Sequence, residues 1–281
     1  MGTEDPRLNT AGAIDFRVSR TWAAWKKQDP PPNRVKPIPI TVIRRIAAIA
    51  QQLDPGSTLL KATADMIIIA FFYLLRPGEY TDSSSDTVPF TFGDVQLSIG
   101  QRRLNLLTCP VAELREARFA SLTFTDQKNG VRGEVIGLSR SGDPFLCPVL
   151  AIIRRIIHLR EHSAPLSTPL ARVYHPNSTL SRSKVTPALI TKTLRNAVTF
   201  LGPDLGFLAS DVSARSLRAA GATALLVGKV DTNIISLLGR WRSDEMLRYL
   251  HLQAEPIMRD FSRIMLNADF SLLPNTLVPQ H

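Results

Sequence analysis

A chain of 281 residues, 44 % of them hydrophobic, is long enough for one large domain or for a domain with an arm, and it can build a substantial core. Its 34 Lys and Arg against 24 Asp and Glu leave a formal charge of +10, which favours a polyanionic partner, nucleic acid before an anionic membrane surface. Two cysteines, Cys109 and Cys147, are too few for a disulfide framework or a zinc cluster and read as buried, reduced thiols. The longest apolar run, Met66 to Leu75, is far short of the roughly 20 residues a membrane span needs, and the polar, acidic opening residues are unlike a secretory signal. These features point to a soluble intracellular protein.

Residues 1–37 read as an arm and linker: Phe16 to Lys27 has helical character, and Pro30, Pro31, Pro32, Pro37 and Pro39 then keep the chain extended. Ile40 to Leu53 repeats apolar residues at helical spacing. Ala62 to Leu75 is apolar almost all round, which predicts a central buried helix ended by Pro77, with Arg76 at its exit. The middle of the chain reads as strands: Val95 to Ile99 and Arg103 to Leu107 about Gly100-Gln101, then Ala120 to Thr125 and Gly133 to Leu138 about Gln127-Lys128-Asn129-Gly130. Helices are expected over Pro148 to Glu161, Thr186 to Leu201, Ser213 to Val227, Thr232 to Leu238, Asp244 to Leu252 and Pro256 to Leu266. The expected fold is α+β, mainly α-helical, with a small antiparallel sheet of hairpins on one side. The globular domain covers residues 38–268 and a tail covers 269–281.

Arginines mark the chemistry. Arg76 ends an apolar helix, where a charge needs a partner or a ligand; Glu79 is the structural partner and a phosphate the functional one. Arg215 and Arg218 are three apart on an expected helix and so share a face, followed by the small residues Ala219, Ala220, Gly221 and Ala222, which allow close approach. Guanidinium groups grip phosphate oxygens through paired hydrogen bonds and stay charged at neutral pH. Tyr249 lies in an amphipathic stretch nine residues after Arg240, and neighbouring arginines would favour its phenolate, otherwise about 0.1 % populated at neutral pH. Lys128, at a hairpin tip, can reach into a groove and protonate a leaving oxygen.

In order and wording these segments resemble the tyrosine recombinases of the phage-integrase superfamily, over roughly residues 38 to 266. Leu75-Arg76-Pro77-Gly78-Glu79 is similar to the family's first arginine motif, and Ser216-Leu217-Arg218-Ala219-Ala220-Gly221-Ala222-Thr223 to the stretch holding its second. Leu238-Gly239-Arg240 with Tyr249 looks like its last motif, and Gly-Arg-Trp-Arg-Ser-Asp resembles recombinases of eukaryotic mobile elements of the Crypton and DIRS-like groups. The resemblance implies a tyrosine-recombinase-like catalytic domain acting on double-stranded DNA and self-associating on it, located in the nucleus of a eukaryote. It implies DNA cleavage and rejoining, for recombination or integration, through a 3′-phosphotyrosyl link to Tyr249. Arg76, Arg215, Arg218 and Arg240 would hold the phosphate, Trp241 would join the DNA contacts, and Lys128 would protonate the leaving 5′ oxygen. No metal or other cofactor is implied. The arm would be the remnant of a DNA-clamping domain.

Two positions depart from the pattern. Arg215 stands where the family has histidine, and Arg240 where it has histidine or tryptophan, although Trp241 is adjacent. Arginine donates hydrogen bonds but does not shuttle protons at neutral pH. A catalytically impaired or domesticated DNA-binding remnant is therefore the alternative expectation, with a tyrosine-type topoisomerase as the competing enzyme.

Overall fold

The structure is a computed structural model. It describes residues 7, 13–16, 18–21, 35–82, 88–125, 133–175, 178–202, 205–241 and 260–270, with side chains left aside at 178–182. The chain divides into two compact units, Met1–Arg34 and Val35–His281. In the first, residues 18–21 are helical, within the segment where the sequence predicts a helix.

The second unit is α+β. Its helices are α1 (Ile40–Gln52), α2 (Thr58–Phe72), the single turn α3 (Pro77–Tyr80), the short α4 (Val111–Arg115), α5 (Pro148–Glu161), α6 (Pro187–Leu201), α7 (Ser216–Val227), α8 (Thr232–Gly239) and α9 (Phe261–Asn267). Strands β1 (Val95–Ile99), β2 (Arg102–Arg103), β3 (Phe119–Phe124) and β4 (Glu134–Ser139) form an antiparallel sheet in the order β2-β1-β3-β4. A separate hairpin joins β5 (Arg172–His175) to β6 (Ser178–Lys184). Among the described residues no helix is long and apolar enough to cross a membrane.

Helix α2 is the axis of the core. Every residue from Ala62 to Phe72 is buried, because its sequence carries apolar groups on all faces, and α1, α5 and α7 pack around it. Tyr73, at its C-cap, is fully buried and donates its hydroxyl to the Ala120 carbonyl of β3 at 2.7 Å, which ties the helix to the sheet. The one acid inside the helix, Asp65, pairs with Arg154 of α5. Helix α7 crosses α2 closely at Gly221, where a Cβ would lie 2.2 Å from the Phe71 carbonyl oxygen. Cys109 and Cys147 are buried free thiols, as the sequence leads one to expect.

Helices α1, α5 and α6 follow the predicted bounds closely; α6 opens on Pro187 with the Thr186 hydroxyl capping the Leu189 amide. Other elements differ, among them α7, which begins at Ser216 rather than Ser213. Helix α2 starts earlier, at Thr58, and stops at Phe72; Leu74 then takes a left-handed conformation (φ 52°), so the chain leaves the helix before Pro77 rather than because of it. Pro77 instead opens α3. The second strand shrinks to Arg102–Arg103, because the Asn105 side chain accepts from the Leu107 and Thr108 amides and turns the backbone away from the ladder. The β5–β6 hairpin was not expected from the sequence, although Pro176-Asn177 is a turn signal. The expected helix Asp244 to Leu252 and the first part of Pro256 to Leu266 lie outside the described residues.

A histidine cluster sits where α5 meets β5. The His158 Nε2 accepts the Tyr174 amide at 3.0 Å, and the His162 ring stacks on Tyr174 with centroids 5.0 Å apart. Burial, then the nearby Arg155, His162 and His175, push His158 down to about 3. Its folded pKa lies below the ordinary value near 6.5, so the unfolded chain takes up the proton first as pH falls. The contribution is whole above about pH 6.5 and is lost as pH drops toward 3.

Two outcomes follow for stability. Urea unfolding of Gly221→Ala should show a loss of roughly 1–3 kcal/mol, since the added methyl meets backbone rather than a movable side chain. Wild-type stability should decline from about pH 6.5 downward, and His158→Gln should flatten that decline.

Candidate functional site

Three arginines from distant parts of the sequence meet where the chain leaves α2. A helix C-terminus leaves its last carbonyls without intrahelical partners and carries the negative end of the helix dipole. Here guanidinium groups cover it. Arg218 of α7 donates from Nη1 to the Leu74 carbonyl at 2.8 Å and from Nη2 to the Gly239 carbonyl. Arg240, just past α8, donates to the Tyr73 carbonyl at 3.4 Å, to Leu74 at 3.3 Å and to Leu238 at 3.1 Å.

Glu79 closes the arrangement from below. Its carboxylate is buried in α3 and accepts the Arg76 amide at 2.7 Å, Arg76 Nη1 at 3.2 Å and Arg240 Nη2 at 2.9 Å. The extended backbone of Arg76 (ψ 150°) and Pro77 at the first position of α3 bring Glu79 round to this point. Glu134, the first residue of β4, is a second carboxylate near Arg240. Three guanidinium groups thus face two carboxylates, and the surplus is positive.

The three cations are not equivalent. Arg240 is buried, with its guanidinium carbon 3.8 Å from the centre of the Phe124 ring. Burial lowers its pKa and Glu79 opposes that shift. Its Nε is buried without a hydrogen-bond partner among the described residues. Arg218 is half-buried beneath Trp241, whose ring centre lies 4.4 Å from the guanidinium carbon. Burial first, then the Arg240 and Arg76 charges, push Arg218 down to about 9, with Glu79 opposing; it remains a cation at neutral pH. Arg76 keeps 29 % of its side chain exposed. Arg76 and Arg218, both partly buried, are the guanidinium groups of the site that reach solvent.

The turn that carries Arg240 and Trp241 is tightly specified. Arg240 is left-handed (φ 56°), and its amide and that of Trp241 bond back to Leu237 and Ser236. A Cβ on Gly239 would lie 1.8 Å from the Trp241 ring, so only glycine lets that ring lie over Arg218. The Tyr80 hydroxyl donates to the Ala214 carbonyl at 2.9 Å and fixes the segment just before α7.

Arg76, Arg218, Arg240 and Trp241 are therefore brought together. Arg215 is not part of the cluster's hydrogen bonding. It is the N-cap of α7, with helical backbone (φ −69°, ψ −22°) and an exposed side chain, and its amide bonds to the Ser213 hydroxyl at 3.3 Å. Lys128 and Tyr249 lie outside the described residues. Phe124 and Glu134 joined the site without any warning in the sequence, because only tertiary packing sets the start of β4 and the end of β3 beside Arg240. Among the described residues no His, Cys, Asp and Glu grouping could hold a metal ion.

No family model matches the chain, and no curated protein or solved structure matches it either.

Loss of the buried acid tests how the site is held. Glu79→Gln removes the carboxylate that accepts a hydrogen bond from the buried Arg240 and should cost about 3–5 kcal/mol in urea unfolding. Arg76→Ala, which removes a half-exposed partner of the same acid, should cost about 1 kcal/mol or less.

Proposed function

We propose that the chain binds double-stranded DNA and cleaves and rejoins it as a tyrosine recombinase, with a backbone phosphate held at Arg76 and Arg218. The observation that carries this reading is the meeting of Arg76, Arg218 and Arg240 around the end of one helix, with positive charge in surplus and Arg76 open to solvent. The formal charge of +10 agrees with a polyanionic partner.

In the proposed reaction Arg76 and Arg218 hold the two non-bridging oxygens and stabilise the charge that builds on them as the phosphorus becomes five-coordinate. The Tyr249 phenol gives its proton to a solvent water and its oxygen attacks the phosphorus. The new bond joins its oxygen to phosphorus, and the bond from phosphorus to the 5′ oxygen breaks. That oxygen leaves as a hydroxyl with a proton from Lys128. A 5′-hydroxyl from a partner strand reverses the step, so the phosphotyrosyl link conserves the bond energy. Trp241 flattens one face of Arg218 and orients its donors.

The second reading is a DNA-binding protein that no longer cleaves. It is favoured by Arg240, whose hydrogen bonds go to three carbonyls and Glu79, and by Arg215, which cannot shuttle a proton.

A nicked suicide duplex distinguishes the two. The first reading expects a covalent protein–DNA adduct that Tyr249→Phe abolishes. DNA binding with no adduct, and adduct formation gained in Arg215→His, supports the second. Both readings expect Arg76→Ala to weaken DNA binding and to reduce the slope of log affinity against log salt by about 1. Affinity indifferent to salt and to Arg76 contradicts both.

A further inference from the structure

A groove distinct from the arginine site is lined by α1, α2 and α6. Its volume is about 310 Å³. Ile46, Ile49, Leu53, Leu60 and Phe200 form its apolar wall, and Ala50, Ala64 and Ala197 its shallow floor. Ile49, Leu60 and Phe200 are 41 %, 48 % and 67 % exposed, a grouping that a free surface does not explain by itself.

One charged side chain lies among the lining residues, and it is Arg45. Its guanidinium carbon sits 4.0 Å from the centre of the Phe200 ring. Its Nε is buried and has no hydrogen-bond partner, and no acidic residue among those described pairs with it. A buried donor without an acceptor is rare in folded proteins and calls for a group that arrives from outside. The depression next along α6 shares Asn196 and adds Lys192 and Arg195, so the rim is basic there as well.

We infer that this groove docks an acidic amphipathic helix of a partner protein. The apolar wall takes leucine-sized side chains at positions i, i+3 or i+4, and i+7 of that helix. An adjacent Glu or Asp accepts from Arg45 and supplies the missing acceptor. The groove opens to solvent at Ile49, Leu60 and Phe200, so a guest helix reaches its wall from outside, whereas a small amphiphile buries most of its surface in an enclosed pocket. The flat, small-residue floor lets a guest backbone come close, and Arg beside an aromatic ring is a common anchor in protein interfaces. DNA does not fit such a wall, since its surface offers phosphate rather than apolar relief.

Selection from a phage-displayed library of amphipathic helices tests this with the full chain as bait. Phe200→Asp serves as the counter-bait, because an exposed position tolerates the change without loss of fold. Enriched helices should carry the apolar spacing together with an acid beside it. A synthetic peptide of the enriched sequence should bind the wild type and lose about tenfold in affinity to Arg45→Gln. Replacing its acid by Gln should cost a similar factor on the wild type and little on Arg45→Gln. DNA affinity should be unchanged in both variants. The inference is overturned by enrichment without acids, by equal enrichment on Phe200→Asp, by no enrichment, by equal peptide affinity for Arg45→Gln, or by dodecanoate filling the groove while no helix binds.

Discussion

The structure turns on how the end of one buried helix is neutralised. Helix α2 runs through the core and stops where water cannot reach the Tyr73 and Leu74 carbonyls. Orphaned acceptors in such a place are costly. Arg218 and Arg240 satisfy them, and the negative end of the helix favours their charges. Importing guanidinium groups into the interior creates the opposite problem, which Glu79 answers from α3. Carbonyls, cations and carboxylate thus form a set in which each member requires the others, and the set draws α2, α3, α7 and α8 to one point.

This dependence separates two roles that look alike in a sequence. Arg240 is spent on the protein: its hydrogen bonds go to carbonyls and Glu79, and Phe124 covers its face. Arg218 is shared, with backbone acceptors on two donors and Trp241 over one face. Arg76 bonds through its side chain to Glu79 and keeps 29 % of that side chain exposed. On the proposed reading, Arg240 is chiefly a positioning residue, and the phosphate meets Arg76 and Arg218. An Arg in place of a histidine or tryptophan then changes what holds the site together as well as what protons can move.

Much of the fold was legible because local rules and packing agree. The all-round apolar pattern of α2, the proline starts of α5 and α6, and the alternation of β3 each follow from a single physical cause. Boundaries failed where a side chain or a tertiary contact decides. Asn105 cut the second strand short, and the left-handed Leu74 ended α2 ahead of Pro77. Within the site, Arg76 with Glu79 was legible as a helix-end pair. The place of Arg215 at the N-cap of α7 was not, because its spacing to Arg218 does not fix where the helix begins. The union of Arg240 with Glu79, Phe124 and Glu134 depends on long-range packing that no sequence window contains.

On the proposed reading Arg76 and Arg218 offer their donors to an anion while Arg240 serves the fold. Side-chain NMR of the arginine Nε groups, followed as a short DNA duplex is titrated into the protein, separates these roles. The Arg76 and Arg218 signals should move in step with binding while the Arg240 signal stays close to its free position. A titration in which Arg76 and Arg218 stay still, or in which Arg240 moves most, contradicts that reading.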